Sequence, residues 1–248
     1  MASPAEKKSY KKGFKAGADS VEEGLPGWFG TFADMMTLLF AFFVLLAAIS
    51  TIDPVKLQEM ADSMGKKVGK TSKEGKAMNL ADIKKAADKM VKDMPADKTG
   101  KKPVEVRTSP KGVTIGISSD ISFASGTADL QQGIIDVLKK LVPTIKDPNN
   151  YFPVAVEGHS DNDPLPEKFH DKYPSNWELS AARASAVVRE LTTLGVDPTR
   201  LQAVGYAHYQ PREKPTDWIP TEKDIPKFNE TKEEKALNRR VEITFLAR

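Results

Sequence analysis

One continuous apolar run dominates the amino-terminal part of this 248-residue chain. The run extends from Trp28 to Ile49 and contains a single charged residue, Asp34. At 1.5 Å per residue a helix of this length is roughly 33 Å long, and the hydrocarbon core of a bilayer is ~30 Å thick. The run therefore predicts a membrane-spanning helix over 28–50, although charged residues make up 29% of the whole chain.

The residues around this run predict its orientation. The segment 1–27 carries five lysines, and lysines that flank a membrane span stay on the cytoplasmic side. We therefore expect 1–27 to be a cytoplasmic tail of an inner membrane protein whose remaining chain lies in the periplasm. A cleaved signal peptide is the alternative, but its apolar core is shorter, about 7–15 residues. The chain has no cysteine, which excludes disulfides, thiol catalysis and a lipid-modified cysteine anchor.

Asp34 is the unusual residue of the predicted span. A charged carboxylate inside a membrane helix costs ~2.5–3.5 kcal/mol on insertion scales, and such residues usually face protein or water. Three small residues recur around it at intervals of seven positions, which predicts a face suited to partner helices: Gly27, Ala41 and Ala48. A carboxylate there can carry a proton, or it can bind a small cation together with Thr37. The alternative is an interfacial acid that reaches the lipid headgroups.

Residues 26–51 resemble the transmembrane signature of the MotB/PomB family, the B subunits of flagellar motor stators. The shared core is W-x-x-T-F-A-D-x-M-T/S-L-L-x-x-F-F-V-L-L, a long and specific pattern. The resemblance implies that Asp34 carries the transported ion, H⁺ or Na⁺. It also implies that a dimer of this chain is encircled by a pentamer of MotA/PomA-like A subunits, and that ion flow drives rotation. The T-F-A-D-M-M-T-L-L pattern is closer to sodium-type members of the family.

A short amphipathic helix is predicted over 53–64. Asp53 and Pro54 are suited to a cap and a first turn, and four apolar residues follow at i, i+3, i+4 and i+7. A solvated extension of the chain is an equally good interpretation of these residues. The resemblance to stator B subunits implies a plug that closes the ion path until the complex joins a motor. The plug residues are Leu57, Met60, Ala61 and Met64.

The segment 65–102 has the composition of a solvated, Lys-rich periplasmic linker. It contains twelve lysines and five acidic residues, a net charge of about +7, whereas the whole chain carries +3. Within it, 79–93 has apolar residues on one side and could form a helix. We expect no nucleic-acid binding, because the lysines are not interleaved with aromatic residues and the predicted topology places them outside the cytoplasm.

The region 103–248 alternates between strand and helix patterns and is long enough to bury a hydrophobic core. The predicted fold class is α+β, with a single transmembrane helix, a linker and an α/β sandwich domain. Regular spacing of apolar residues supports each element. The predicted strands are Val113–Ser118, Val154–Glu157, 201–206 and Val241–Leu246, and the predicted helices are Leu130–Val142 and 176–194.

A strand-end motif and a helix face bring charged residues into this domain. The motif G-H-S-D ends at Asp161, directly after a predicted strand, and the helix that begins at Asn176 carries Arg183 on its polar face. Asp161 could bind an ammonium group while Arg183 binds a carboxylate through two hydrogen bonds, so the two would recognise a zwitterion. An internal Asp161–Arg183 ion pair that joins strand to helix is the alternative.

The spacing V-E-G-H-S-D … N-W-E-L-S-x-x-R-A … N-R-R-V-E-I is similar to that of OmpA-like peptidoglycan-binding domains. The resemblance covers roughly 112–248 and implies an OmpA-like domain over 103–248. It implies that Asp161 and Arg183 hold the amino and carboxylate ends of the diaminopimelate peptide in peptidoglycan. The segment 211–237 then corresponds to an enlarged loop. The implied peptidoglycan-binding residues are His159, Ser160, Asp161, Asn176, Arg183, Arg239 and Arg240.

The two resemblances along one chain predict an ion-conducting flagellar stator subunit that is anchored to the cell wall. A membrane-tethered wall anchor without ion flow is a second interpretation, and a stator-like subunit of a non-flagellar system is a third. An anchor has no need of a membrane-embedded acid such as Asp34. We expect no enzymatic activity, cofactor or metal site. The candidate cluster does not have the spacing of a known ligand set, and its members are His159, Asp161, Asp163 and His170.

Overall fold

Two compact units make up the protein, Met1–Thr51 and Ile52–Arg248. The predicted plug helix over 53–64 lies outside the residues that can be described. The structure is a computed structural model, and it describes residues 3–19, 26–49, 77–95, 102–213 and 220–247.

Two helices form the described part of the first unit, α1 (Pro4–Asp19) and α2 (Gly27–Ile49). α2 contains 23 residues, and by length and composition its segment Gly27–Ala47 qualifies to cross a membrane. None of the residues in that segment is buried against the rest of the chain. This helix agrees with the span predicted over 28–50, and its apolar side chains are exposed among the described residues.

The second unit contains one mixed sheet, whose strands are β1 (Val104–Ser109), β2 (Gly112–Ser118), β3 (Val154–Gly158), β4 (Leu201–Gly205) and β5 (Arg240–Leu246). Their order across the sheet is β1-β2-β5-β3-β4. β3 and β4 run parallel, and the other neighbouring pairs are antiparallel. Because parallel neighbours need a crossover connection, the chain between β3 and β4 must return across one face of the sheet.

The helices of this unit are α3 (Leu80–Lys92), α4 (Ser119–Ser122), α5 (Gln132–Ile145), α6 (Asn176–Thr193) and α7 (Lys232–Asn238). α6 is the crossover between β3 and β4. Residues of α3, α5 and α6 share one hydrophobic core with the strands, so the domain is a two-layer α/β sandwich as predicted. Within the described residues, 3₁₀ turns lie in the connections at Glu167–Phe169, Pro198–Arg200 and Glu222–Phe228.

Two glycines allow α6 to lie directly on the sheet. A Cβ added to Gly158 would lie 2.1 Å from the carbonyl oxygen of Ser180, and one added to Gly205 would lie 2.6 Å from the backbone nitrogen of Ala181. Neither strand could carry a side chain there unless the helix moved away. The close contact places the end of β3 beside the amino-terminal half of α6, where the predicted binding residues lie.

α3 lies within the predicted linker but packs against the domain. Asn79 caps this helix, because its side chain accepts a 2.8 Å hydrogen bond from the backbone N–H of Asp82 and its own N–H donates to the Asp82 carboxylate. Leu80 and Ile83 are buried in the core of the domain. A linker over the whole of 65–102 is therefore wrong for this part, since the apolar side of the helix covers the sheet.

The strands and helices predicted from periodicity are confirmed to within a few residues. The helix predicted at 176–194 is α6, and the strand predicted at 201–206 is β4. β1 was not assigned as an element, because its sequence, V-E-V-R-T-S, has only two apolar residues and reads equally well as part of a polar connection.

Candidate functional site

A cleft of about 570 Å³ lies where β3 ends against α6. Its walls come from the loop after β3, the first turns of α6, the connection between β2 and α5, and the residue that precedes β5. Five of the seven predicted binding residues line it. They are Ser160, Asp161, Asn176, Arg183 and Arg239.

Asp161 is buried in the wall of this cleft and is paired with Arg239. The Nη1 of Arg239 donates to Oδ2 of Asp161 at 2.7 Å. The other carboxylate oxygen accepts no hydrogen bond from the described residues. The ion pair of Asp161 is therefore made with Arg239, and the alternative of an Asp161–Arg183 pair is wrong. The free oxygen remains available to an ammonium group in the cleft.

Arg183 projects from α6 and is only 5% exposed. Its Nε donates to the carbonyl oxygen of Thr127 at 2.9 Å, and its guanidinium lies 5.0 Å from the centre of the Phe123 ring. Burial lowers the pKa of Arg183 to about 10, against the opposing effect of the Asp161 charge, so the group is a cation at neutral pH. The two terminal nitrogens make no hydrogen bond within the described residues, and together they suit a bidentate carboxylate.

Asn176 holds the loop that carries Asp161. The helix begins at this residue because the Oγ of Ser175 accepts a 3.1 Å hydrogen bond from the N–H of Trp177. The Nδ2 of Asn176 donates to the carbonyl oxygens of Asp161 and Asp163, at 3.3 and 3.0 Å. Its amide nitrogen is thus committed to the backbone, and through these bonds Asn176 positions the wall of the cleft.

His159 and Arg240 do not line the cleft, which corrects two of the predicted binding residues. Successive residues of an extended chain point to opposite sides, so Ser160 lines the cleft while His159 turns away from it. The His159 ring is buried and stacks on Tyr206 with centroids 5.4 Å apart. Burial is the main cause that lowers the pKa of His159 to about 3, and the positive charge of Arg240 is the second cause. Arg240 bonds to Glu242 and to two backbone carbonyls instead.

Glu157, His159 and Glu242 meet at β3 and β5, with potential ligand atoms within 4.8 Å of one another. Glu242 is already engaged, since it accepts hydrogen bonds from Arg240 at 2.5 Å and from Arg212 at 3.1 Å. Burial acts to raise the pKa of Glu242, but the charge of Arg240 and the neighbouring groups outweigh it and lower the pKa to about 2. Two guanidinium groups thus supply the positive charge, and the cluster is an ion-pair network within the domain.

Residues between β2 and α5 also shape the cleft, and no sequence motif predicted them. Thr127 and Phe123 hold Arg183, and Asp120 lies 4.0 Å from Arg239. This connection has no helical or strand period and matches none of the quoted motifs. The available signal was weak, a short polar stretch with a glycine directly after a strand.

Asp34 and Thr37 lie about one turn apart on α2 and are both exposed in the isolated chain. The hydroxyl of Thr37 donates to the carbonyl oxygen of Ala33 at 2.8 Å, which leaves its oxygen lone pairs available. Asp34 has no hydrogen bond or ion pair to any described residue. The predicted plug residues Leu57, Met60, Ala61 and Met64 lie outside the described part of the chain.

Two family models match this sequence, in successive parts of the chain. A model described as membrane MotB of the proton-channel complex MotA/MotB matches residues 11–68, and a model of the OmpA family matches residues 122–223. The first match contains α2 with Asp34. The second contains Asp161 and Arg183.

Similar proteins extend over both units. The uncharacterized protein YtxE of Bacillus subtilis (strain 168) is 32% identical over 240 residues, which cover 92% of this chain and 91% of the relative. Motility protein B of the same organism is 28% identical over 256 residues, which cover 89% and 90%. The solved structure of the cell wall anchor of the T6SS from Pseudomonas aeruginosa is 28% identical with a TM-score of 0.50, and it covers 70% of this chain and 100% of that chain. The chain belongs to the MotB family, with a MotB-type membrane segment followed by an OmpA-like domain.

Proposed function

We propose that this protein is the ion-conducting B subunit of a flagellar motor stator, which carries H⁺ or Na⁺ while it is anchored to peptidoglycan. The observation that carries the proposal is Asp34, an acid in the apolar helix α2 without a countercharge among the described residues. The similarity to Motility protein B and the match to the MotA/MotB family model support it.

Ion transfer depends on the two charge states of Asp34. A charged carboxylate in a membrane helix costs ~2.5–3.5 kcal/mol on insertion scales, so binding of an ion makes the residue easier to accommodate. One helix cannot enclose a carboxylate, so the remaining groups come from other helices. A second copy of this chain and a pentamer of MotA/PomA-like A subunits would supply them. Thr37 would add a neutral oxygen to the ion site.

The cleft of the OmpA-like domain provides the anchor. The free oxygen of Asp161 would bind the ammonium group of a diaminopimelate residue, and the terminal nitrogens of Arg183 would bind its carboxylate. Hydrogen bonds between charged groups are about twice as strong as neutral ones, and they gain further from the buried position of both side chains. The cleft volume of about 570 Å³ is in the usual range for small-ligand sites.

The proposed topology connects these two functions. The tail 1–27 lies in the cytoplasm, α2 spans the inner membrane, and the domain lies in the periplasm where it reaches the wall. The segment 53–64 acts as a plug that closes the ion path before assembly. A stator must push against a fixed point, and wall binding supplies that point.

A wall anchor without ion flow is the second candidate function. The similarity to the cell wall anchor structure of Pseudomonas aeruginosa favours it, because that likeness covers 70% of this chain. A stator-like subunit of a non-flagellar system would share the same cleft and the same membrane acid. Asp34 separates ion transfer from a wall anchor without ion flow, since only ion transfer requires it.

Asp34→Asn in a strain that lacks its own copy of this protein tests the proposal. We expect swimming to be abolished and binding to isolated peptidoglycan to be unchanged, because an amide cannot cycle between charged and neutral forms. Asp136→Asn, an acid on α5 outside the cleft, is the matched control and should swim normally. A motile Asp34→Asn strain would reject ion transfer through this residue. The wall anchor without ion flow would then be the remaining candidate function.

Swimming speed measured against external sodium, at fixed proton-motive force, assigns the transported ion. A speed that rises with sodium and saturates identifies Na⁺. A speed that does not depend on sodium identifies H⁺.

A further inference from the structure

The amino-terminal helix α1 is left uncovered by the rest of the described chain. It contains 16 residues, and its side chains from Pro4 to Gly17 are all exposed. A solvated helix of this length is marginal in water, and Gly13 and Gly17 weaken it further. Most helices gain their stability by packing one face on another surface, so α1 has a face that is ready for a partner.

Local hydrogen bonds fix where this helix begins. The N–H of Ser3 donates to Oε2 of Glu6 at 2.7 Å, and the N–H of Glu6 donates to Oγ of Ser3 at 3.3 Å. This reciprocal cap satisfies two backbone donors that a helix otherwise leaves free. It also engages the Glu6 carboxylate. The start of the helix, and with it the arrangement of its faces, is therefore encoded by neighbouring residues.

Aromatic and basic residues are separated around α1. Tyr10 and Phe14 are four positions apart and so share one side of the helix, where they are 77% and 73% exposed. The helix has five lysines and two acids, Glu6 and Asp19, which gives a net charge of +3. At 100° per residue the lysines occupy the adjoining and opposite sides, and they make no ion pair with any described residue: Lys7, Lys8, Lys11, Lys12 and Lys15.

The chain keeps α1 close to the predicted membrane span. α1 ends at Asp19 and α2 begins at Gly27. At 3.3–3.6 Å per residue, the chain between them can extend over at most about 29 Å, whatever its conformation. Trp28 follows at the start of α2, and tryptophan is enriched at the boundary between membrane and water. The tether therefore holds α1 at a high effective concentration next to that boundary.

An anionic lipid surface matches both sides of α1 at once. Helices with lysines on one side and aromatic residues on the other lie in the plane of the headgroups, with the aromatic side inserted. A helix is about 10–12 Å wide, so the lysines on its outer side stay within about one Debye length of the lipid charges. Each lysine near an anionic surface strengthens binding about fivefold.

We propose that α1 lies on the anionic lipid surface of the membrane, with Tyr10 and Phe14 inserted among the headgroups and the five lysines bound to lipid phosphates. This inference adds a second membrane contact to the proposed topology. A span that is joined to a surface-bound helix resists displacement along the membrane normal. The depth of Asp34 in the bilayer would then be set from the amino-terminal side.

Fluorescence of the full chain in lipid nanodiscs tests the proposal. The chain has no cysteine, and a Cβ added to Gly13 meets nothing within 4 Å, so Gly13→Cys offers one labelling site on α1 for a polarity-sensitive dye. Lipids with a nitroxide on the headgroup quench a dye that lies at the surface. We expect quenching to be at least about threefold greater with phosphatidylglycerol present than in phosphatidylcholine alone, and to weaken in 0.5 M salt.

Two sets of variants, each made in the Gly13→Cys protein, separate the contributions of charge and aromatic rings. Replacement of all five lysines by glutamine should abolish the effect of phosphatidylglycerol, and replacement by arginine should preserve it. Tyr10→Ser combined with Phe14→Ser should also reduce quenching, whereas Ala16→Ser, on another side of the helix, is the matched control and should not.

Equal quenching in the two kinds of nanodisc would overturn the proposal, because the purified chain is then offered anionic lipid and does not bind it. An unchanged response after replacement of the lysines by glutamine would overturn it as well. Both leaflets of a nanodisc have the same composition, so the result does not depend on which side of the membrane the tail occupies. The measurement requires neither ion flow nor wall binding, and a failed swimming test of Asp34→Asn would not change its outcome.

Discussion

Asp34 and Asp161 are the two acids on which the proposed function depends, and they differ in whether the chain itself provides a neighbouring cation. Asp161 receives a guanidinium nitrogen of Arg239 at 2.7 Å and shares its cleft with Arg183. Asp34 lies among the exposed apolar side chains of α2 and has no cation among the described residues. A charge compensated within its own chain belongs to a complete site, whereas an uncompensated one depends on other chains or on an ion.

Because of this difference in charge compensation, the OmpA-like domain and the membrane helix α2 differ in what each can do alone. The OmpA-like domain holds Asp161 and Arg183 of its cleft by its own hydrogen bonds, so we expect it to bind its ligand without another protein. The membrane helix presents one carboxylate and one hydroxyl, which is too few groups to hold an ion. The four predictions below test this contrast, first in the domain and then in the helix.

Removal of the cationic side of the cleft should have the largest effect. Arg183→Met keeps a long apolar side chain but loses the charge that would meet the ligand carboxylate. Truncation of one partner in a buried charged pair costs about 2–5 kcal/mol, so the affinity for the stem peptide should fall at least about 30-fold. Isothermal titration calorimetry measures it. Arg189→Met is the control, an exposed arginine on the same helix, and it should bind normally. A normal affinity in Arg183→Met would remove this residue from the site.

The second prediction concerns α3, the helix at which the domain begins. Ile83 is fully buried in its core, so Ile83→Ala should lower the free energy of unfolding by about 2–5 kcal/mol through a lost contact and a cavity. Denaturant unfolding followed by near-ultraviolet circular dichroism measures the change. Lys85→Ala, on the exposed side of the same helix, should change it by less than about 0.5 kcal/mol. Equal and small effects of both substitutions would show that α3 is a linker helix.

His159 should make the domain less stable in acid. The unfolded chain protonates this residue near pH 6.5 and the folded chain near pH 3, because burial lowers its pKa. Between these values the unfolded state binds one more proton. The free energy of unfolding should therefore fall by about 1.4 kcal/mol for each pH unit from 6.5 down to 3. Above pH 6.5 His159 is neutral in both states, so the domain retains the full free energy of unfolding.

His159→Phe keeps a ring beside Tyr206 that cannot titrate, so the dependence of unfolding on pH should become shallower. Denaturant midpoints at pH 7.5, 5.5 and 4.5 measure the slope. His170→Phe, at an exposed histidine, is the control and should retain the original slope. An unchanged slope in His159→Phe would mean that another group sets the acid sensitivity.

Thr37 should have the smallest effect, since it provides one neutral oxygen. Thr37→Val removes that oxygen and preserves the shape of the side chain. A neutral hydrogen-bonding group contributes about 1 kcal/mol, so the ion concentration that gives half-maximal swimming speed should rise about fivefold. Thr37→Ser restores the hydroxyl and should restore the speed. An unchanged concentration dependence in Thr37→Val would exclude Thr37 from the ion site.

Local patterns in the sequence predicted most of the fold. The apolar run predicted α2, and alternating or helically spaced apolar residues predicted β2 to β5 and both long helices of the domain. α3 was recognised as a helix but assigned to a linker, because its lysines dominated the composition. Its buried side is visible only when the sheet it covers is known.

The candidate site was predicted less completely. The motif around Asp161 and the polar face with Arg183 identified two of the charged residues that line the cleft. The same motif suggested His159, but alternation along the extended chain turns that ring into the interior. Motif membership does not state on which side of a strand a residue lies, and a shift of one position reverses the side.

The sequence by itself determined the membrane helix with its single acid, the order of the two units, and the residue types of the wall-binding motif. The tertiary structure alone decided that Asp161 pairs with Arg239, 78 positions away, and that Arg183 is held by the carbonyl of Thr127, 56 positions away. Local propensities act over a few residues, whereas these contacts form only after the sheet and α6 have brought distant segments together. The charge balance of the cleft is therefore a property of the fold.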